Sequence, residues 1–145
     1  MDPRLGALQL LPALEHLDLV ATPTAGLLQT PPGAESVRVC TIDPELSDTA
    51  AFCAHYGTAL EVCGNCVILE ATRGERTWYA ACVIPGSTRA DVNGLARRTL
   101  GARKVSFAPM ATAVELTGME YGAITPVGLP TDWSILLDGS LVENE

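Results

Sequence analysis

Cys63 and Cys66, three residues apart in "CGNC", are the first residues whose type and spacing suggest chemistry. A CxxC pair can act as a dithiol couple or supply half of a zinc site. The rest of the chain offers such a pair little help. There is no second CxxC, and the only histidines, His16 and His55, are far apart with no ligand spacing between them. Residues three apart on an extended strand face opposite sides, so both sulfurs reach one ion only if Gly64-Asn65 makes a tight turn. Packed thiols are the plainer reading, with a thiol or zinc protein kept as the weaker alternative; no metal and no other cofactor is expected. His55 could serve as a general base, but no nucleophile stands at a recognisable offset, and a surface histidine is the better reading. Nucleophile-elbow, phosphate-loop and paired-carboxylate patterns are all missing.

A second stretch is unusual for a different reason. "YGAITPVGLP", residues 121–130, holds two glycines and two prolines, no charge and no hydrophobic period. Taken alone it reads as a structural turn. A loop of this kind can also bring its main chain close to a ligand, because Gly122 carries no side chain and Pro126 fixes the path out of the loop.

The elements that must position these residues follow from pattern. Leu5, Leu8, Leu11 and Leu14 predict a helix over 4–17, interrupted at Pro12, and residues 21–36 read as loop. "VRVCTI" (37–42) predicts a strand, and Leu46, Ala50, Cys53 and Ala54 predict a helix ending at Gly57. "NCVILE" (65–70) and "TWYAACVI" (77–84) form a hairpin signal, with Gly74 available for the turn. Asp91 can cap a helix running to about Leu100 and ending at Gly101; "KVSFA" (104–108) is a short strand. Pro109 and Gly118 bracket another helix, and "WSILLD" (133–138) is the last strand. The mixture is α+β, with helices packed on one sheet.

Composition narrows the setting. Nearly half the residues are hydrophobic and few are aromatic, which predicts an aliphatic core, and the 145 residues suit one domain. The net charge of −8 opposes general attraction to a phosphate backbone. Five of the nine basic residues, however, lie at Arg89, Arg97, Arg98, Arg103 and Lys104, either as a solvated helix face or as a local anion-docking patch. The N-terminus lacks the basic start and cleavage site of a signal peptide, and no apolar run nears the ~18 residues of a membrane span. A cytoplasmic protein without membrane contact is expected.

The ordered series from "CVIPGSTRADVNGLARRTLGARKVSFA" through "AVELTG" to "GAITPVGLP" and Asp138 resembles the YbaK and prolyl-tRNA synthetase insertion-domain family of aminoacyl-tRNA editing domains. "DTAAFCAHYG" and "NCVIL" fit the earlier part of its pattern, and the likeness is strongest over 46–140. The resemblance implies a mixed, strongly curved, barrel-like sheet with flanking helices, in a single editing-like domain spanning 1–145. It also implies a strand and closing helix after "LVENE", which this sequence does not contain.

By the same resemblance the chain is an aminoacyl-tRNA deacylase, a trans-editing hydrolase that cleaves the ester of mischarged tRNA by positioning it. Gly122, Thr125 and Pro126 would form the reactive-ester site. Asn65, Ala123, Ile124, Gly128 and Asp138 would contact substrate, and Arg89, Arg97 and Arg98 would reach tRNA. The implied partners are the acceptor end of aminoacyl-tRNA and a synthetase that delivers it, with the protein a monomer or homodimer. An aminoacyl ester is already reactive, so fixed dipoles and a held water suffice without a catalytic dyad. Two departures favour an alternative, a catalytically inactive module that binds tRNA or an aminoacyl-adenosine-like ligand. Asn65 stands where active members commonly carry lysine, and Ile42 and Pro44 replace aromatic and histidine positions of some members.

Overall fold

In the computed structural model, which describes residues 2–30 and 32–143, the hairpin signal around Gly74 is realised as a long two-stranded ribbon. The chain-order strands are β1 (Leu11–Pro12), β2 (Arg38–Val39), β3 (Gly64–Arg73), β4 (Arg76–Pro85), β5 (Lys104–Phe107) and β6 (Ser134–Leu137). The helices are α1 (Thr22–Leu28), α2 (Thr49–Tyr56), α3 (Arg97–Leu100), α4 (Met110–Thr117) and α5 (Gly139–Val142), with short 3-10 turns between elements up to Val62. β3 and β4 pair antiparallel from Gly64↔Pro85 to Arg73↔Arg76, and Gly74 at φ +62° makes the tight reversal between them. β5 adds antiparallel to β3 and β6 adds parallel to β4, so the sheet order is β5-β3-β4-β6.

Side-chain alternation along β3 splits the interior in two. Leu69 and Ala71 face a cluster with Cys82, Ile84 and Val105, covered by Ala96 and Ala102 from the α3 region. Ile68 on the opposite face meets Ala81, Ala113 of α4, Met119 and Leu129. Both faces of the ribbon are therefore covered, which is why β3 and β4 read as nearly continuous apolar runs. Leu69 and Met119 are the largest fully enclosed side chains, and such burial contributes roughly 1.5–3 kcal/mol each.

The end signals operate as the sequence predicts. Gly57 closes α2 at φ +73°, and Asp48, which the sequence reading did not single out, starts it by accepting from the Ala51 N–H. Asp91 accepts from the N–H groups of Gly94 and Leu95, although the first turn, Val92–Ala96, is wound as a π-helix before α3.

Three expectations are corrected. The helix over 4–17 is replaced by 3-10 turns at Pro3–Leu5, Ala13–Glu15 and Leu17–Leu19, with the short strand β1 between them. Gly6 at φ +60° breaks the first turn, and Pro12, which lacks an N–H, sits in β1 opposite Arg38. Within the expected 21–36 loop, α1 forms because Pro23 occupies its first turn, where no donor is needed, while Thr24 and Leu28 are buried. The barrel-like closure does not occur: among the described residues β5 and β6 are the two edges of an open four-stranded sheet. Both are only four residues long, too few and too short to supply the stagger a closed barrel requires.

Candidate functional site

The site begins where β5 stops. β5 pairs with β3 only from Leu69 to Thr72, leaving residues 64–68 of β3 extending beyond it. The Ile68 carbonyl points to this edge and accepts from the Ala108 N–H at 2.9 Å. In an antiparallel strand both backbone groups of every second residue point the same way, so the Cys66 N–H and C=O lie on the same edge, past the end of β5. No backbone partner meets them there among the described residues. This is an open donor and acceptor pair held on the most regular element of the fold.

A cavity of about 500 Å³ lies against that edge. Its apolar wall includes Ile68, Ala108, Ala113 and Ile124, its mouth carries Phe107 and Tyr121, and Ser47, Thr49 and Asn65 add polar groups. The side chains of Ser47, Thr49 and Asn65 make no hydrogen bond among the described residues. Opposite β3, the 121–124 segment supplies main chain. Gly122 has φ +86°, and the N–H groups of Gly122 and Ile124 have no internal acceptor among the described residues. Main-chain groups thus reach the cavity from two sides, and no lysine, arginine or histidine lines it.

Of the residues the sequence singles out, the cavity brings together Asn65, Gly122 and Ile124. Ala123 is exposed beside them, its N–H bonded to the Glu120 carbonyl in a turn. Thr125 and Pro126 fall outside the lining. The Thr125 hydroxyl accepts from the Val127 N–H at 3.3 Å, and the Thr125 N–H contacts the Met119 sulfur at 3.4 Å, so this residue organises the loop. Gly128, at φ +102°, lies beneath the start of α1: an added Cβ would sit 2.7 Å from the Thr24 nitrogen. Thr24 completes the junction by donating to the Val127 carbonyl at 2.8 Å. Asp138 caps α5 through the Ser140 N–H and hydroxyl, bonds that hold its carboxyl below the ordinary range. Arg89 lines a neighbouring cavity, Arg97 donates to the Asn93 carbonyl at 2.8 Å, and Arg98 is exposed on α3.

Ser47 and Thr49 are the residues that sequence reading passed over. Their one signal is the Ser-Asp-Thr start of α2, which marks a helix cap and carries no hint that the cap meets Gly122. The CxxC reading gains no geometry. The Cys63 sulfur is 3.4 Å from that of Cys53, and no cluster of three or more metal-ligand side chains occurs among the described residues. Burial pushes the Cys66 thiol up to about 11, with nearby Cys82 adding to the effect, so at neutral pH Cys66 offers its main chain and not a thiolate.

An open sheet edge and a glycine loop thus bound one cavity of about 500 Å³. Residues 43–145 match the aminoacyl-tRNA editing domain model, and the chain belongs to that family. No curated protein matches it. Among solved structures, a hypothetical protein, APE2540, is 28% identical, with a TM-score of 0.55 over 63% of this chain. The match spans 58% of that protein's length. A structure described as a candidate trans-editing enzyme for prolyl tRNA synthetase is 22% identical, with a TM-score of 0.67 over 83% of this chain and 73% of its own. A scaffold used for epitope backbone grafting has a TM-score of 0.68 and 22% identity over 85% of this chain and 74% of its own. These last two share the fold. The YbaK-like resemblance carried by the "GAITP" and "ADVNGLARRTLGARKVSFA" segments is borne out.

Proposed function

We propose that this chain is an aminoacyl-tRNA deacylase domain that binds the ester of mischarged tRNA in the cavity between β3 and the 121–124 loop. The carrying observation is the open Cys66 edge facing the free N–H groups of Gly122 and Ile124. Water attacks the ester carbonyl carbon, the bond to the ribose oxygen breaks, and that oxygen takes up a proton; the products are the free amino acid and tRNA. Negative charge on the carbonyl oxygen is met by a main-chain N–H of the glycine loop, and the substrate's α-ammonium group by the Cys66 carbonyl. Ser47, Thr49 and Asn65 hold the water, while the neighbouring ribose hydroxyl assists proton transfer. The apolar wall formed by Ala113 and Ile124 selects small amino acids by size.

The substrate partner in this reading is the acceptor end of aminoacyl-tRNA, handed over by a synthetase. Incubating the full chain with tRNAs carrying different amino acids and following ester loss tests the reading; no acceleration across the panel rejects it. One observation favours a second reading, a binding module without turnover: no basic side chain lines the cavity where active relatives of the resembled pattern carry lysine. That module binds a non-hydrolysable aminoacyl-adenosine analogue without cleaving the ester, and Asn65→Lys then introduces turnover.

A further inference from the structure

Cys53 is the one buried residue of α2, so that side chain anchors the helix to the rest of the fold. Its sulfur meets the sulfur of Cys63 at 3.4 Å. That is a little over 1 Å longer than the roughly 2 Å of a disulfide bond, a gap that small side-chain rotations close. Cys63 lies between the 3-10 turn Leu60–Val62 and β3, outside the regular ladder, where such a movement disturbs no strand pairing. It is partly exposed, whereas Cys53 is only 7% exposed, and its S–H also reaches the Thr58 hydroxyl at 3.7 Å.

The other cysteines are placed differently. Cys66 and Cys82 face opposite sides of the β3–β4 ribbon, in separate core clusters, and no second sulfur–sulfur contact occurs among the described residues. The position of the pair also matters. Ser47, Asp48 and Thr49 at the start of α2 line the first cavity from one side, and Gly64 and Asn65 of β3 line it from the other. Cys53 stands one helical turn after Thr49, and Cys63 immediately precedes Gly64. The two sulfurs therefore meet where the two walls are joined.

We propose that Cys53 and Cys63 are a reversible dithiol–disulfide pair, which fastens α2 to the start of β3 when a low-molecular-weight disulfide such as oxidised glutathione reacts with it. The more accessible Cys63 loses its proton, and its sulfur bonds to one glutathione sulfur while the other leaves as a thiolate and takes up a proton. Cys53 then gives up its own proton and attacks the Cys63 sulfur, and the second glutathione leaves in the same way. Two protein thiols are oxidised, one glutathione disulfide is reduced to two thiols, and both protons are accounted for. The inference does not depend on the deacylase reading.

The full chain is incubated with oxidised glutathione, the remaining thiols are alkylated, and the product is cut with chymotrypsin, which cleaves after Tyr56 and so separates the two cysteines. Burial, with the Cys53 contact adding to it, holds the Cys63 thiol above its ordinary range, so the reaction is run at about pH 8.5 to supply thiolate. Peptides carrying Cys53 and Cys63 should be joined, Cys40, Cys66 and Cys82 should be unpaired, and dithiothreitol should reverse the change. The bridge spans ten residues of sequence and should raise Tm by about 5–10 °C. Amide exchange at Phe52 and Cys53 should slow by about tenfold. Cys53→Ala should trap a glutathione adduct on Cys63, whereas Cys63→Ala should carry none on the buried Cys53. A lasting adduct on Cys63 in the unaltered chain, a different linked pair, no linkage, or unchanged exchange in α2 after bridging overturns the proposal. The unaltered chain alone decides the pairing, so that result stands even where a variant fails to fold. Loss of the bridge leaves the hydrolytic reading intact, and absence of ester cleavage leaves the bridge intact.

Discussion

A Cβ added to Gly122 would stand 2.5 Å from the Cβ of Ser47 and 3.0 Å from its hydroxyl oxygen, so the glycine loop lies directly on the residue preceding the α2 cap. Gly122 is also left-handed at φ +86°, which disfavours any side chain there independently of the contact. The two requirements are separable by experiment.

Gly122→Ala should cost about 1–3 kcal/mol of stability. It should also lower deacylation about a hundredfold by displacing the loop. Adding Ser47→Gly removes the colliding atoms and leaves the backbone strain, so the double variant should recover part of the stability. Urea denaturation of the four proteins measures this coupling; strictly additive losses would show that the Ser47 contact is not the obstacle.

Ile124→Ala should widen the first cavity and move preference toward larger amino acids. Loss of several methylene contacts predicts a change of about tenfold or more in the ratio of kcat/KM for a bulky ester over a small one. Competition assays with two aminoacyl-tRNAs read that ratio directly. An unchanged ratio would mean that Ile124 does not bound the amino-acid pocket.

Thr125→Val leaves the Val127 N–H without its acceptor and should cost about 1–3 kcal/mol, seen as a lower Tm. Below the transition its kcat should stay near wild type, because the hydroxyl is engaged within the loop. A fall of about tenfold with folding intact would instead place that hydroxyl on the ester or its water.

Cys66 predicts a pH dependence of stability. Its thiol is raised to about 11 in the folded chain by burial, so the native state holds this proton more tightly than the unfolded state. The sign follows: the contribution is fully present below the ordinary thiol range near 9 and is lost as pH rises through about 11. Urea midpoints at neutral and alkaline pH should therefore differ less in Cys66→Ala than in the parent. Alkylation of Cys66 at pH 8 should likewise be slow.

Local signals account for the parts of the fold that sequence reading reached. Gly57, Gly101 and Gly118 end their helices at φ +73°, +66° and +67°, and Asp91 starts its own through side-chain bonds a few residues away. The N-terminal third was less legible because its leucine spacing imitates a helix that Gly6 and Pro12 forbid. α1 is too short for its period to stand out. The site divides in the same way. Gly122 and Ile124 belong to a loop whose composition is visible, whereas the contact of Ser47 with Gly122 and the seating of Gly128 under Pro23 join distant segments. Thr125 looks like a reagent in sequence, and in the fold its oxygen accepts one bond from the Val127 N–H two residues on.

The unpaired run of β3 has an evolutionary consequence. Its hydrogen-bonding groups belong to the peptide itself, so drift in the surrounding side chains leaves them in place. On the deacylase proposal, descendants of such a scaffold would exchange one amino-acid preference for another by altering wall residues such as Ala113, and would inherit the main-chain groups unchanged.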